Sequence, residues 1–209
     1  MNAATGPGGQ RSKRRAWNAY RKWMANLAPM LTWVPPAVAG VVLFQEGQPT
    51  WAFVCWGAVP LLGWLGINRL ALFQNDSMRR ELSSLKPTAE ATFVGIATPQ
   101  HRSLLDPHED VGWLWLEGGE LRFRGERLSL NLPRDVIRRV AYRANSHTIL
   151  GLGRWVVAEG VREGKRFALR IEPRERRTLL ANKREGARLL GVLKAWIREG
   201  ASNHPGGMP

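Results

Sequence analysis

The sequence predicts a two-part protein: a hairpin of two apolar helices, then a mainly β domain of seven short antiparallel strands closed by a C-terminal helix. Three observations predict this. From Trp23 to Asn68 there is no Lys or Arg and a single acid, Glu46, although the chain carries 31 Lys+Arg against 17 Asp+Glu and a formal charge of +14. From Ala89 onward the apolar period shortens to two and is punctuated by glycine turns. After Pro173 the period returns to that of a helix.

The chain divides into a basic N-terminal segment (residues 1–27), an apolar hairpin (28–73), a connector (74–88), a β domain with its helix (89–200) and a short tail (201–209). Met1–Gln10, rich in Gly, Ala and Asn, and Ala201–Pro209 read as disordered ends. From Arg11 to Leu27, Trp17, Tyr20, Met24 and Leu27 recur at steps of three and four, with Arg14, Asn18, Arg21 and Lys22 largely opposite. This is an amphipathic basic helix suited to a membrane interface. Arg14, Arg15, Trp17, Tyr20, Arg21 and Lys22 are its candidate lipid or partner contacts. The simpler use of the same charge is as a topology signal.

Ala28–Phe44 and Trp51–Phe73 are the two spans, joined by the turn Gln45–Thr50. A hydrocarbon core of about 30 Å needs roughly 20 apolar residues in a helix. The second span meets this; the first is short, and Pro35-Pro36 should kink or unwind it. Ala37, Ala39 and Gly40 are expected to face Gly57, Ala58, Gly63 and Gly66, letting the backbones approach. The alternatives are a buried hairpin of a soluble core and a re-entrant hairpin. Bases lie before the first span and after the second (Arg69, Arg79, Arg80, Lys86), and the turn has none. By the positive-inside rule both termini are cytoplasmic. Trp33, Trp51 and Trp64 fall near span ends, where indole prefers the interface. Cys55 is the single cysteine, which excludes an intrachain disulfide and a Cys-based metal site.

Gln74–Lys86 reads as a helical connector ended by Pro87. The strands are expected at Thr92–Thr98, Val111–Glu117 (apolar on both sides), Glu120–Arg124, Arg127–Leu132, Val136–Arg143, Arg154–Val161 and Lys165–Glu172. Gly118-Gly119 and Gly125-Glu126 make hairpin turns. Arg174–Glu199 reads as the closing helix, with Leu179, Ala187, Leu190, Leu193 and Ile197 along one stripe, Leu189 and Trp196 beside it, and Gly186 allowing close approach to a sheet.

This order resembles a pleckstrin-homology-like (PH-like) barrel, and the chain resembles bacterial membrane proteins that carry such a domain beside a two-helix hairpin. The segments GlyTrpLeuTrpLeu (112–116), GluLeuArgPheArgGly (120–125) and LeuAsnLeuPro (130–133) are similar to the second to fourth strands of that family, and Trp196 to a Trp of its closing helix. The resemblance implies two orthogonal sheets in a four-plus-three grouping, an inner-membrane location and a scaffold that binds protein or lipid. Phosphoinositide-binding members place a basic cluster at the first hairpin loop. Here that loop, Pro99–Asp110, holds Arg102 against Asp106, Glu109 and Asp110, so that activity is not carried over.

The same loop is the densest in chemistry: His101, Asp106, His108, Glu109 and Asp110. Imidazoles and carboxylates of this kind can hold a divalent cation, which makes a metal-dependent membrane enzyme the alternative function. The competing reading is a solvated loop turning at Asp106-Pro107, and no metal ligand is assigned. Gly151-Leu152-Gly153 is a turn, not a phosphate loop, and Ser and His match no nucleophile motif. His147 has no assigned role. Trp113, Trp115 and Trp155 read as core or sheet-face residues. Arg122, Arg124, Arg166 and Arg170 lie on outward strand faces as a candidate basic patch for lipid or partner. The expectation is a non-enzymatic, multi-pass membrane protein without a cofactor. It contacts membrane lipid and a protein partner, forms a possible homo- or hetero-oligomer, and binds no specific nucleic acid.

Overall fold

In a computed structural model, residues 15–101 and 108–202 are described. Arg14, Arg102, Asp106, the expected disordered end 1–10 and residues 203–209 of the expected tail 201–209 lie outside them. Helix α1 (Ala19–Leu27) starts at Asn18, whose side chain accepts the Arg21 N–H, a normal N-cap. It ends where Pro29 lacks an N–H, and α2 (Met30–Gln45) follows at a bend of 42°. The break therefore falls at Ala28-Pro29, and α2 runs unbroken through Pro35 and Pro36, where the sequence suggests a kink.

Helix α3 (Pro49–Leu70) returns antiparallel to α2 after a turn with Gly47 at φ +74°. Small residues bring the two together, though not all those expected. A Cβ on Gly40 would lie 2.3 Å from the Trp56 indole nitrogen, and one on Gly66 2.1 Å from Thr32 Oγ1. Gly57 meets nothing within 4 Å. The Thr32 hydroxyl shares its proton between Pro29 O in its own bend and Leu62 O across the pair. Trp56 Nε1 donates to Ala37 O. Both are polar contacts between the two helices.

A short α4 (Asn75–Glu81) leads to the strands β1 (Thr92–Ala97), β2 (Asp110–Glu117), β3 (Glu120–Gly125), β4 (Ser129–Pro133), β5 (Ile137–Arg143), β6 (Trp155–Arg162) and β7 (Lys165–Pro173). All pairs are antiparallel, in the order β4-β3-β2-β1-β7-β6-β5. The four-plus-three grouping is present as two meanders. They are joined into one hydrogen-bonded sheet because β1 pairs on both sides, Val94 opposite both Gly112 and Pro173. Gly118 and Gly119 both have positive φ, as do Glu163 and Gly164, so two hairpins turn with the twist that such φ values supply. The third differs from the sequence expectation. Asp110 Oδ2 accepts the N–H groups of Arg127 and Leu128, holding a longer turn that delays β4 to Ser129.

Helix α5 (Leu179–Ser202) begins five residues later than expected and runs into the expected tail. Asn68 of α3 reaches it, its Oδ1 accepting the Leu180 N–H at 2.9 Å. Leu189, Leu193 and Trp196 enter the main core with Val94, Ile96, Leu121, Phe123, Val156 and Ile171. Ala187 is exposed, and a Cβ on Gly186 would meet nothing within 4 Å, so neither mediates the contact with the sheet. A second core covers the opposite face of β1 and β2. There Ala16, Trp17, Met78 and Leu82 pack on Phe93, Val111 and Trp113. The β domain is thus completed by the N-terminal segment and α4, and its core is not confined to residues 89–200.

Candidate functional site at the junction of helices and sheet

Alternation along β7 puts Leu169 and Ile171 into the main core and turns Glu172 to the other face. Beyond the strand, Arg174 donates its N–H to Phe93 O and sends its side chain under the N-terminal segment. There the chain buries charge. Glu172 Oε2 is 2.8 Å from His108 Nε2, and Glu172 Oε1 is 3.8 Å from His147 Nδ1 and accepts from Asn145 Nδ2 at 3.0 Å. Arg174 Nη1 lies 3.5 Å from His108 Nδ1, while its Nε donates to Asn75 Oδ1 at 2.9 Å. His108 therefore stands between the Arg174 guanidinium on its Nδ1 side and the Glu172 carboxylate on its Nε2 side. The Arg174 guanidinium sits 4.7 Å over the Trp17 ring, and Trp17 Nε1 donates to His108 O.

Glu172 and Arg174 are 4% and 2% exposed, so pairing decides whether they can be charged. Burial pushes the Glu172 carboxyl up. The imidazoles of His108 and His147 beside it oppose this and hold it well below the usual carboxylate range. Asp110 goes the other way: burial raises it despite its three backbone N–H partners. Gly95 makes room for the cluster, since a Cβ there would stand 2.1 Å from His108 Cδ2. A small cavity of about 90 Å³ borders the group, walled by Trp17, Lys22, Asn26, His147, Glu172 and Arg174.

On the other side of Trp17 lies an open cleft of about 630 Å³, lined by Arg15, Trp17, Asn18, Tyr20, Lys22, Glu109, Asp110 and Arg127. Four of the sequence-derived contact residues, Arg15, Trp17, Tyr20 and Lys22, therefore meet at one cleft. Trp17 is the correction among them: it is 8% exposed and is a core and cation–π residue, not an interfacial anchor. Arg21 turns away to pair with Glu81 and Ser77, and that pairing lowers the Glu81 carboxyl. Arg122 is engaged by Glu117 and Glu120. Arg124, Arg166 and Arg170 are exposed. Because β1 and β2 separate β3 from β7, these four arginines do not form one patch.

The polar loop does not converge as a metal site would. His108 points to Glu172, Glu109 accepts from Thr98 N and Oγ1, and Asp110 caps the β3–β4 turn. Among the described residues no three His, Cys, Asp or Glu side chains group around a cation position. His108 and Asp110 are buried, not solvated. His147, Glu172 and Arg174 escape sequence reasoning because three distant segments bring them together. The available signal was the strand apolar on both sides, which calls for cover on the sheet's second face. Trp113 and Trp155 are buried, as the sequence suggests.

Comparison of this chain with protein-family models, with curated proteins and with solved structures finds no match.

Proposed function

We propose that this chain is a non-enzymatic membrane-anchored protein. Its α2–α3 hairpin sits in the bilayer, and its PH-like domain is held at the cytoplasmic surface to bind a protein or lipid partner. The observation that carries the reading is the outer surface of the hairpin. Among the described residues one helical run, Pro49–Glu81 (α3 continued through α4), can cross a membrane by length and composition, and the bent pair α1 and α2 qualifies when counted as a single span. Of the apolar stretch in the first, 11% is buried, so it is not covered as a core helix of a soluble protein would be. Val38, Val42, Phe44, Trp51, Phe53, Val54 and Leu61 all face outward, and clustered exposed apolar side chains mark a membrane or protein contact.

The PH-like assignment is supported by the strand order. A meander returns so that its first strand pairs with its last and leaves β4 and β5 unpaired with each other. The α5 helix carries Trp196 toward that opening, where Arg134 lies 4.7 Å over its ring. The cleft of Arg15, Tyr20, Lys22 and Arg127 lies beside the start of α1 and offers a cationic, aromatic surface to an anionic partner. Both termini are assigned to the cytoplasmic side of an inner membrane by the distribution of Lys and Arg.

Alkaline carbonate extraction of membranes tests the anchor: full-length protein should stay with the pellet and leave only with detergent. Release into the soluble fraction refutes it. Cross-linking in intact membranes followed by pull-down, with Arg15→Glu, Lys22→Glu as the comparison, tests the cleft. A captured partner or lipid that is unchanged by the double substitution places binding elsewhere.

A further inference from the structure

The connection between β5 and β6 is long, and it is built. Thr148 Oγ1 bonds Asn145 and Gly153 O, Gly151 N donates to Thr148 O, and Leu152 N donates to His147 O. Leu152 is fully buried against Leu72 and Leu179. Between these fixed points the tip carries Ile149 and Leu150 outward, Ile149 at 92% exposure.

The tip is also tied to α3. Trp64 Nε1 donates to Leu150 O at 3.1 Å. Trp64 stands six residues before the end of α3 at Leu70, which is ~9 Å along the helix axis. A span starting at Trp51 needs roughly 20 residues to cross about 30 Å of hydrocarbon. It therefore ends near Leu70, beside Arg69, the first base after Lys22. The depth of Trp64 is then inside the apolar layer, and the loop tip is held at that depth. Its carbonyls suit the place: Leu150 O takes the indole proton, and Gly151 O takes Lys183 Nζ at 2.9 Å. Irregular backbone is tolerated at membrane depth only when so satisfied.

We propose that the β5–β6 loop is a second membrane element, inserting Ile149 and Leu150 into the acyl chains of the cytoplasmic leaflet alongside α3. The occupant of this apolar tip is lipid, because the tip is bonded to Trp64 of α3, the helix whose apolar side chains are themselves exposed. The proposal rests on the hairpin being in the bilayer, and fixes how the sheet domain is docked against it: at two points, not on a swinging tether.

The test uses the full chain with Cys55→Ala, reconstituted in phosphatidylcholine–phosphatidylglycerol vesicles. Single cysteines at Ile149→Cys, Val54→Cys in α3 and Glu163→Cys at the β6–β7 turn carry an environment-sensitive fluorophore. Quenching by lipids spin-labelled on the acyl chain is read at each. Position 149 should lose most of its emission, as position 54 does, most strongly with the label near the glycerol end, while position 163 keeps it. Quenching at 54 with none at 149 overturns the loop insertion and leaves the hairpin standing. No quenching at 54 removes the membrane reading, and the proposal with it. Disulfide formation between unlabelled copies of the Ile149→Cys variant, with no lipid quenching at that position, assigns the tip to a protein contact and also overturns the proposal.

Discussion

Replacing Trp17 by Ala separates two roles for the N-terminal segment. If Trp17 were an interfacial anchor, its loss would weaken membrane attachment and leave the sheet domain as stable as before. The structure places it instead on the second core with Ala16, Met78, Leu82 and Phe93, under the Arg174 guanidinium. Truncating a buried Trp costs about 3–5 kcal/mol. The cation–π contact, about 2 kcal/mol when desolvated, overlaps that figure because the same ring supplies both. The adjoining cavity and cleft admit water, which favours the lower end, so the expected loss is about 3 kcal/mol. At about 2–4 °C per kcal/mol for a chain of this size, the melting temperature falls by about 6–12 °C. Trp17→Phe keeps an aromatic ring but loses the bond to His108 O and part of the indole's buried bulk, a cost of about 1–2 kcal/mol. Near-UV circular dichroism melts of the full chain in detergent micelles read both, and carbonate extraction reads attachment. A Trp17→Ala melt within a degree or two of the parent, with protein now released from membranes, would refute the reasoning.

Gly95→Ala forces its new methyl against the His108 ring and should cost about 1–3 kcal/mol by overpacking, measured by the same melt; His108→Ala in that background should recover part of it. Asn68→Ala removes the acceptor for Leu180 N–H, an expected loss of about 1 kcal/mol, seen as faster amide exchange in the first turn of α5 and not in β1. The depressed Glu172 carboxyl makes stability pH-dependent. Its folded value lies below its ordinary value of 4.5, so the contribution is complete above that pH and fades as acid carries the folded group through its lowered value. Asp110, raised by burial, has the opposite sign: its contribution is complete below its ordinary value and is lost as pH rises through the raised one. Denaturation midpoints across the acid range should therefore fall less steeply for Glu172→Gln than for the parent. An unchanged slope would remove Glu172 as the titrating group.

Periodicity and composition reach far in this chain because its helical and sheet parts carry different repeats. A stretch without charge from Trp23 to Asn68, Glu46 apart, reads as apolar helix by its length and composition, and α1 to α3 fill it. Alternation in Glu120–Arg124 and Lys165–Glu172 is set by a sheet with one face in the main core, and those strands lie within a residue of their expected limits. Even the turn glycines at 118, 119 and 164 declare themselves, since positive φ at such positions favours glycine over side chains that clash.

Contacts between distant segments had no such local signature. The bend belongs to Pro29 and not to Pro35-Pro36, because the Thr32 hydroxyl and Trp56 indole tie α2 to α3 around the pair. The basic patch dissolved because β1 and β2 stand between its halves. His108, an apparent member of a solvated loop, became the link between Glu172 and Arg174 because Gly95 leaves a place for its ring. The sequence alone therefore determined the class of each segment, since local repeat and charge are properties of neighbours along the chain. Only the tertiary structure decided which polar groups meet, because burying a charge depends on partners that β1, β2, β7 and the N-terminal segment deliver from more than sixty residues apart.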